Sequence, residues 1–105
     1  MIVRTWRGST SLSNQPVYVE HFEKNVLPEL REIKGFLGAS LLRRNLSGEA
    51  EVFVLTKWTS MDAIQMFAGS DVERAVVAPE AAAVLIEYDR TVSHYEVVHE
   101  VNPAG

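Results

Sequence analysis

The feature that most restricts the fold of this chain is a pair of neighbouring apolar segments, residues 36–46 and 51–58. Both are rich in leucine, β-branched and aromatic residues, and turn formers from Asn45 to Gly48 join them, so the pair predicts an antiparallel β-hairpin. Successive side chains of a strand point to opposite faces. Apolar residues occupy both faces: Val52, Val54 and Trp58 against Phe53 and Leu55, and Leu37, Ala39 and Leu41 against Phe36 and Leu42. Both faces of the hairpin are therefore expected to be buried.

The segment before the hairpin predicts one strand and one helix. Residues 2–9 are β-branched and aromatic and run into a Ser/Thr cluster, as a strand entering a turn does. A helix is expected to begin at Pro16 and to end before Gly35. Pro28 predicts a kink near Leu27. The apolar residues of this helix recur at spacings of three and four on one face: Val19, Phe22, Val26, Leu30 and Ile33.

The segment after the hairpin predicts broken helices and a final strand. Ser60 can cap a helix that runs to Ala68 and ends at Gly69. Ser70 and Glu73 have the spacing of a capping box and predict a second short helix. Pro79 is expected to interrupt this second helix. The alanine-rich residues 78–85 favour a helix, and residues 90–100 predict the last strand. Residues 101–105 are expected to form a tail outside the ordered core.

The order strand, helix, strand, strand, helix, strand predicts a ferredoxin-like βαββαβ fold of the α+β class, one domain over residues 1–105. Its sheet is antiparallel, with helices on one face and strands one and three at its centre. The helices leave the other apolar face uncovered. Self-association of two copies through that face predicts a homodimer that forms a dimeric α/β barrel.

Composition narrows the function classes. The formal net charge is −4 and no basic cluster is longer than Arg43-Arg44, so nucleic acid is not an expected partner. There is no cysteine, which excludes thiolate metal sites and cysteine nucleophiles. No apolar run approaches the ~18 residues of a membrane span, and charges interrupt the N-terminal run too early for a signal peptide. We therefore expect a cytoplasmic protein without a membrane partner.

The sequence resembles the antibiotic biosynthesis monooxygenase superfamily of dimeric α/β barrels over nearly its whole length. Seven segments carry the resemblance: Ile2 to Gly8, Leu27 to Leu30, Lys34 to Ala39, Lys57 to Ala63, Phe67 to Asp71, Pro79-Glu80 and Val92 to Val97. The superfamily contains cofactor-free monooxygenases of aromatic polyketides or quinols, heme-degrading enzymes and members without a known activity. The resemblance thus implies the fold more strongly than the reaction.

The heme-degrading branch uses an asparagine in the first strand, a tryptophan in the helix after strand three and, further on, a histidine that ligates iron. Trp6, Phe67 and Val77 stand at these positions here. Valine has no lone pair to donate to iron. Heme binding or degradation is therefore not expected, unless another histidine takes over as ligand.

Two polar residues are candidates for catalysis. His94 lies mid-strand and could accept a proton near pH 7, or it could be a core histidine. Arg4 carries a charge in a central strand; it could form a structural salt bridge with Glu96 or Glu80, or it could hold an anion or phenolate. His21 is expected to be exposed on the first helix. Four aromatic residues could line a cleft for a flat substrate or simply form the core: Trp6, Phe22, Trp58 and Phe67.

No phosphate-binding loop, hydrolase triad order or metal-ligand spacing occurs in the sequence. We therefore expect no cofactor and no metal. The resulting hypothesis is a cofactor-independent monooxygenase that acts on a small phenolic or quinol-like compound, because an electron-rich substrate can itself reduce dioxygen. The alternative is a non-catalytic dimeric barrel that binds a small molecule, stabilises a partner or has a stress-related role.

Overall fold

The computed structural model describes residues 1–104 and shows an α+β fold with one antiparallel sheet. The strands are arranged β2-β3-β1-β4, and β5 also pairs with β1, so β1 and β3 are central as predicted. The elements in chain order are β1 Ile2–Ser11, α1 Gln15–His21, a π-helical turn Phe22–Val26, α2 Leu27–Arg31, β2 Phe36–Leu46, β3 Glu49–Trp58, α3 Met61–Ala68, α4 Pro79–Ala82, β4 Leu85–Tyr88 and β5 Ser93–Glu96. The predicted ferredoxin-like fold is confirmed.

The first helix is interrupted where Pro28 predicts a kink. Proline has no N–H to bond the carbonyl of Lys24, four residues before it, so the α-helical pattern cannot continue there. The chain widens into a π turn instead, in which the N–H of Leu27 bonds the carbonyl of Phe22. This turn separates α1 from α2 and directs several of its residues towards the sheet.

The hairpin of β2 and β3 forms as predicted, and its turn is tight. Ser47 and Gly48 both have positive φ, 42° and 85°, as a two-residue turn between twisted strands requires. At the other end of the hairpin, a bulge at residues 36–38 places Phe36 opposite Trp58 and Ala39 opposite Thr56. Phe36 therefore lies on the same face as Ala39 and Leu41, and the prediction that it opposes them is wrong because strict alternation fails at a bulge.

Three predictions for the second half are wrong. The capping-box helix at Ser70 does not form, and the helix expected over residues 78–85 is limited to Pro79–Ala82. The last strand, expected over residues 90–100, is limited to β5 Ser93–Glu96, and β4 at Leu85–Tyr88 is a strand that the sequence does not predict. Tertiary hydrogen bonds explain the first and third differences. The N–H of Ala75 bonds the carbonyl of Arg90 at 2.9 Å, and the N–H of Val92 bonds that of Glu73 at 2.8 Å, so this backbone pairs across the fold instead of coiling locally.

The helices cover one face of the sheet, where two groups of buried residues form the core. One group contains Leu30, Trp58, Ala63 and Ile64; the other contains Tyr18, Val52 and Ala81. Phe53 and Leu55 pair with Arg7 and Thr5 on the opposite face, as predicted. That face also carries Leu42 and Tyr95, which are 51% and 59% exposed.

None of the helices in residues 1–104 is both long and apolar enough to cross a membrane. The predicted tail begins at Val101, and its last residue, Gly105, lies outside the described part of the chain.

Candidate functional site

A cavity of about 400 Å³ lies between the sheet and the helices, where the two core groups meet. Its floor comes from β1 and β3 and its roof from α1, the π turn and the segment around α4. A volume of this size is typical of sites for small organic molecules, roughly 300–1,000 Å³. The cavity is therefore the candidate functional site.

Aromatic side chains form much of the cavity wall. Trp6, Phe22 and Phe67, which the sequence predicts for substrate binding, all line the cavity, together with Tyr18. The rings of Trp6 and Tyr18 stack with centroids 6.1 Å apart. Trp58, the fourth predicted residue, does not line it: the side chain is fully buried behind Phe67, with ring centroids 5.9 Å apart.

Arg4, predicted as a catalytic residue, lies in the cavity wall and is only 5% exposed. It stands mid-strand in β1, and its guanidinium is held from three directions. Nη1 donates to the carbonyl of Val72 at 2.5 Å and lies 2.9 Å from Nε2 of His94, while Nη2 donates to the carbonyl of Arg74 at 3.1 Å. These contacts fix the position of the charge.

The predicted salt bridge of Arg4 with Glu96 or Glu80 is wrong. No carboxylate within residues 1–104 lies in salt-bridge range of the guanidinium. Glu80 lies on the cavity wall but is exposed, and Glu96 is exposed on β5. Burial lowers the pKa of Arg4 to about 10, so the side chain stays protonated at neutral pH. The cavity thus contains a buried cation that lacks a counterion in the described chain.

His94, the other predicted catalytic residue, is half-buried on β5 directly opposite Arg4 in the β1–β5 pairing. Burial, and next the positive charge of Arg4, lower the pKa of His94 below its usual value, against an opposing effect of Glu73. A neutral ring accepts a hydrogen bond at Nε2 from Arg4, which assigns the ring proton to Nδ1. His94 is not among the residues that line the cavity.

His21, which the sequence predicts to be exposed, is instead 9% exposed and lines the cavity. Nδ2 of Asn25 donates to Nδ1 of His21 at 3.0 Å, so the neutral ring carries its proton on Nε2. The signal for this placement was present in the helix, because Tyr18, His21 and Asn25 are spaced by three and four residues and share one face. Because the apolar face of the helix lies next to these residues, the periodicity predicts burial of that face and exposure of His21.

The three positions compared with the heme-degrading branch, Trp6, Phe67 and Val77, all line the cavity. None of these side chains is an iron ligand. Within residues 1–104, no group of three or more His, Asp or Glu side chains is arranged to hold a metal ion.

Solved structures with this fold have different described activities. A Bacillus cereus protein described as a putative antibiotic biosynthesis monooxygenase superimposes with a TM-score of 0.70 at 21% identity, covering 97% of this chain and 95% of that one. The heme-degrader MhuD of Mycobacterium tuberculosis, with two hemes bound in its active site, superimposes with a TM-score of 0.65 at 25% identity, covering 97% and 100%. The first likeness shows the fold alone. A comparison with curated protein sequences gives no significant match.

The family assignment comes from the sequence itself. The model of the family described as antibiotic biosynthesis monooxygenase matches residues 13–79. The matched segment runs from the turn after β1, through both halves of the kinked helix and the hairpin, to the first residue of α4. It includes most of the helical roof of the cavity and one of the two strands of its floor. The chain belongs to the antibiotic biosynthesis monooxygenase family.

Proposed function

We propose that the protein is a cofactor-independent monooxygenase that oxidises a small, flat aromatic compound of the phenolic or quinol type in the cavity. The observation that carries the proposal is the cavity of about 400 Å³, with aromatic walls and a buried cation. Trp6 and Phe67 lie on the cavity wall and offer aromatic faces on which a flat ring can stack. Membership of the family favours oxygen chemistry.

The reaction needs little from the protein. For an anthrone-type substrate, a CH₂ group flanked by aromatic rings is oxidised to a carbonyl by one dioxygen molecule. One oxygen atom becomes the carbonyl oxygen, and the other leaves as water with the two hydrogens of the CH₂ group. The substrate first loses one of these two protons to solvent water, and the proton is taken up again in the water molecule that forms, so the step needs no base from the protein. The substrate supplies all the electrons, and the protein has only to bind it and stabilise its anion.

Arg4 is the group that stabilises the anion in this proposal. An opposite charge close to an acidic group favours its ionised form, and Arg4 has no carboxylate in the described chain to compete for it. His94 then has a positioning role, because its Nε2 lone pair points at Arg4, 2.9 Å away, and not into the cavity. This role replaces that of proton acceptor, which the sequence suggested.

The proposal includes a homodimer formed through the sheet face away from the helices. Val3, Leu42, Phe53, Leu55 and Tyr95 give this face its apolar character. Two of them, Leu42 and Tyr95, are more than half exposed in the single chain, and such patches mark interaction surfaces. The cytoplasmic location stays a prediction.

Oxygen consumption with a panel of anthrones and quinols tests the activity. We expect turnover by the wild-type protein and a marked loss with His94→Ala. His94→Gln should restore much of the activity, because the glutamine oxygen can accept the hydrogen bond from Arg4 but cannot act as a base. His99→Ala is the matched control, since His99 is exposed near the chain end, and it should retain wild-type rates.

Three outcomes separate the proposal from its alternatives. Inactive His94→Gln with a normal fold would return the role of proton acceptor to His94. Activity unchanged in His94→Ala would remove His94 from the mechanism. No oxygen uptake with any compound of the panel, in a protein that still binds these compounds, would favour the non-catalytic small-molecule-binding barrel.

A further inference from the structure

The buried cation in the cavity wall sets a requirement on the ligand. Arg4 is 5% exposed, and a charge that is removed from water without a partner is unfavourable. Its neighbours in the described chain are two carbonyl oxygens and a neutral histidine, which satisfy hydrogen bonds but do not neutralise the charge. The carboxylates of Glu29 and Glu80 also lie on the cavity wall but are exposed and form no ion pair with Arg4. An anion bound beside Arg4 would neutralise it.

The hydrogen bonds of Arg4 indicate the shape of that anion. A guanidinium has five N–H donors, and three are used: two on Nη1 and one on Nη2. The Nε–H and the second Nη2–H have no partner within residues 1–104. No buried side-chain nitrogen or oxygen of the described residues lacks a partner, so the unpartnered Nε is accessible. A guanidinium presents its Nε–H and one Nη2–H in parallel along one edge, and such a pair matches the two oxygens of a carboxylate.

The walls next to this edge are aromatic. The guanidinium carbon of Arg4 lies 5.9 Å from the centroid of the Phe67 ring, and both residues line the cavity. Trp6 is two residues from Arg4 on the same face of β1, which corresponds to a separation of about 7 Å along the strand. That distance suits a ligand whose acidic group meets Arg4 while its fused rings extend towards Trp6 and Tyr18.

We propose that the cavity selects aromatic carboxylates, bound side-on through both oxygens to Nε and Nη2 of Arg4. The inference deepens the proposed function, on which it rests, by naming the substrate class of the same cavity. A phenolate offers one oxygen and can use the paired donors less fully than a carboxylate does. The carboxylate is then the anion that Arg4 holds, and it is separate from the carbon that is oxidised. The negative charge left at that carbon by deprotonation is delocalised over the aromatic rings.

Binding of three naphthalene probes, followed by quenching of tryptophan fluorescence, tests this inference without any turnover. Trp6 lies in the cavity wall and reports occupancy. At pH 7.5 we expect 2-naphthoate to bind about 10- to 100-fold more tightly than the isosteric, neutral 2-naphthamide, the range expected for charged hydrogen bonds. The neutral phenol 2-naphthol should bind no better than the amide.

Two variants test whether Arg4 causes the preference for naphthoate over naphthamide. Arg4→Lys keeps the charge but loses the paired donors, so the preference for naphthoate over naphthamide should fall to a few-fold. Lys24→Met is the matched control, because Lys24 is another cation on the cavity wall, but it is exposed and its Nζ lies 2.8 Å from Glu20. Its removal should change the preference less than twofold.

The binding measurements on the wild-type protein test the inference even if the Arg4→Lys variant fails to fold. Equal affinities for naphthoate and naphthamide, tighter binding of 2-naphthol, or no saturable binding of naphthoate by folded protein would each overturn the inference. A preference that disappears in Lys24→Met would overturn it as well. Activity towards neutral anthrones with no naphthoate preference would overturn the inference while supporting the proposed monooxygenase, so the two can fail separately.

Discussion

Replacement of His94 by glutamine should remove a specific pH dependence of stability. In the folded protein, burial and the nearby charge of Arg4 both disfavour the protonated ring, and Glu73 opposes them only in part. The unfolded chain has an ordinary histidine, with a pKa of about 6.5. His94→Gln keeps an acceptor for the Arg4 hydrogen bond, observed at 2.9 Å, but cannot titrate. The wild-type protein and the variant therefore differ mainly in one titratable group, the imidazole of His94.

The sign of the effect follows from the depressed pKa. Well above pH 6.5 the ring is neutral in both states, and its contribution to stability is fully present. As the pH falls from 6.5 towards the lower pKa of the folded state, the unfolded chain binds a proton that the folded chain does not, and the free energy of unfolding decreases. The limiting slope for one proton is about 1.4 kcal/mol per pH unit. His94 is only half-buried and solvent screens its interactions, so we expect the decrease to stay below this limit.

Urea unfolding of both proteins at pH 7.5, 6.5 and 5.5 measures the effect. The difference in unfolding free energy, wild type minus variant, should change little near pH 7.5 and decrease as the pH falls through 6.5 to 5.5. Because the other titrating groups are common to both proteins, they cancel in the difference. A difference that stays constant down to pH 5.5, or that increases, would refute the claim that Arg4 and burial keep His94 neutral.

Three further predictions concern the turn at Gly35, the sheet face and heme. Gly35→Ala should cost roughly 2–5 kcal/mol of unfolding free energy by urea titration, because φ is +100° and the new Cβ would lie 2.6 Å from that of Ala63. The control Gly48→Ala, at φ +85° with no atom within 4 Å, should cost only ~1–2 kcal/mol. Equal losses in the two variants would contradict the predicted clash with Ala63. Sedimentation at micromolar concentration should give twice the chain mass of 11.7 kDa, and Leu55→Asp should dissociate or unfold the dimer, whereas a monomeric wild type would disprove the interface. Hemin should give no stoichiometric Soret shift, and a saturable shift that His21→Ala abolishes would show that His21 takes over as iron ligand.

The elements from β1 to α3 could be predicted because their signals are local. Pro28 removes a helical hydrogen bond wherever the helix lies, and Ser60 caps α3 through its side chain, which accepts from the N–H of Ala63 at 3.2 Å. The segments after α3 could not be predicted in this way. Its backbone bonds partners that are distant in sequence, such as Ala75 with Arg90 at 2.9 Å, and these bonds override the helix preference of the local sequence.

Periodicity and residue type are enough to predict the α+β class, the two central strands and the presence of aromatic residues near a charged Arg4. The surroundings of Arg4 depend instead on tertiary packing. Val72, Arg74 and His94 lie 68 to 90 residues away along the chain, and they meet Arg4 only when β5 and the segment after α3 pack against β1. The same packing buries His21 in the cavity and removes Trp58 from it. Local patterns cannot show such contacts, because a side chain's partners depend on which strands pair and not on its neighbours in sequence.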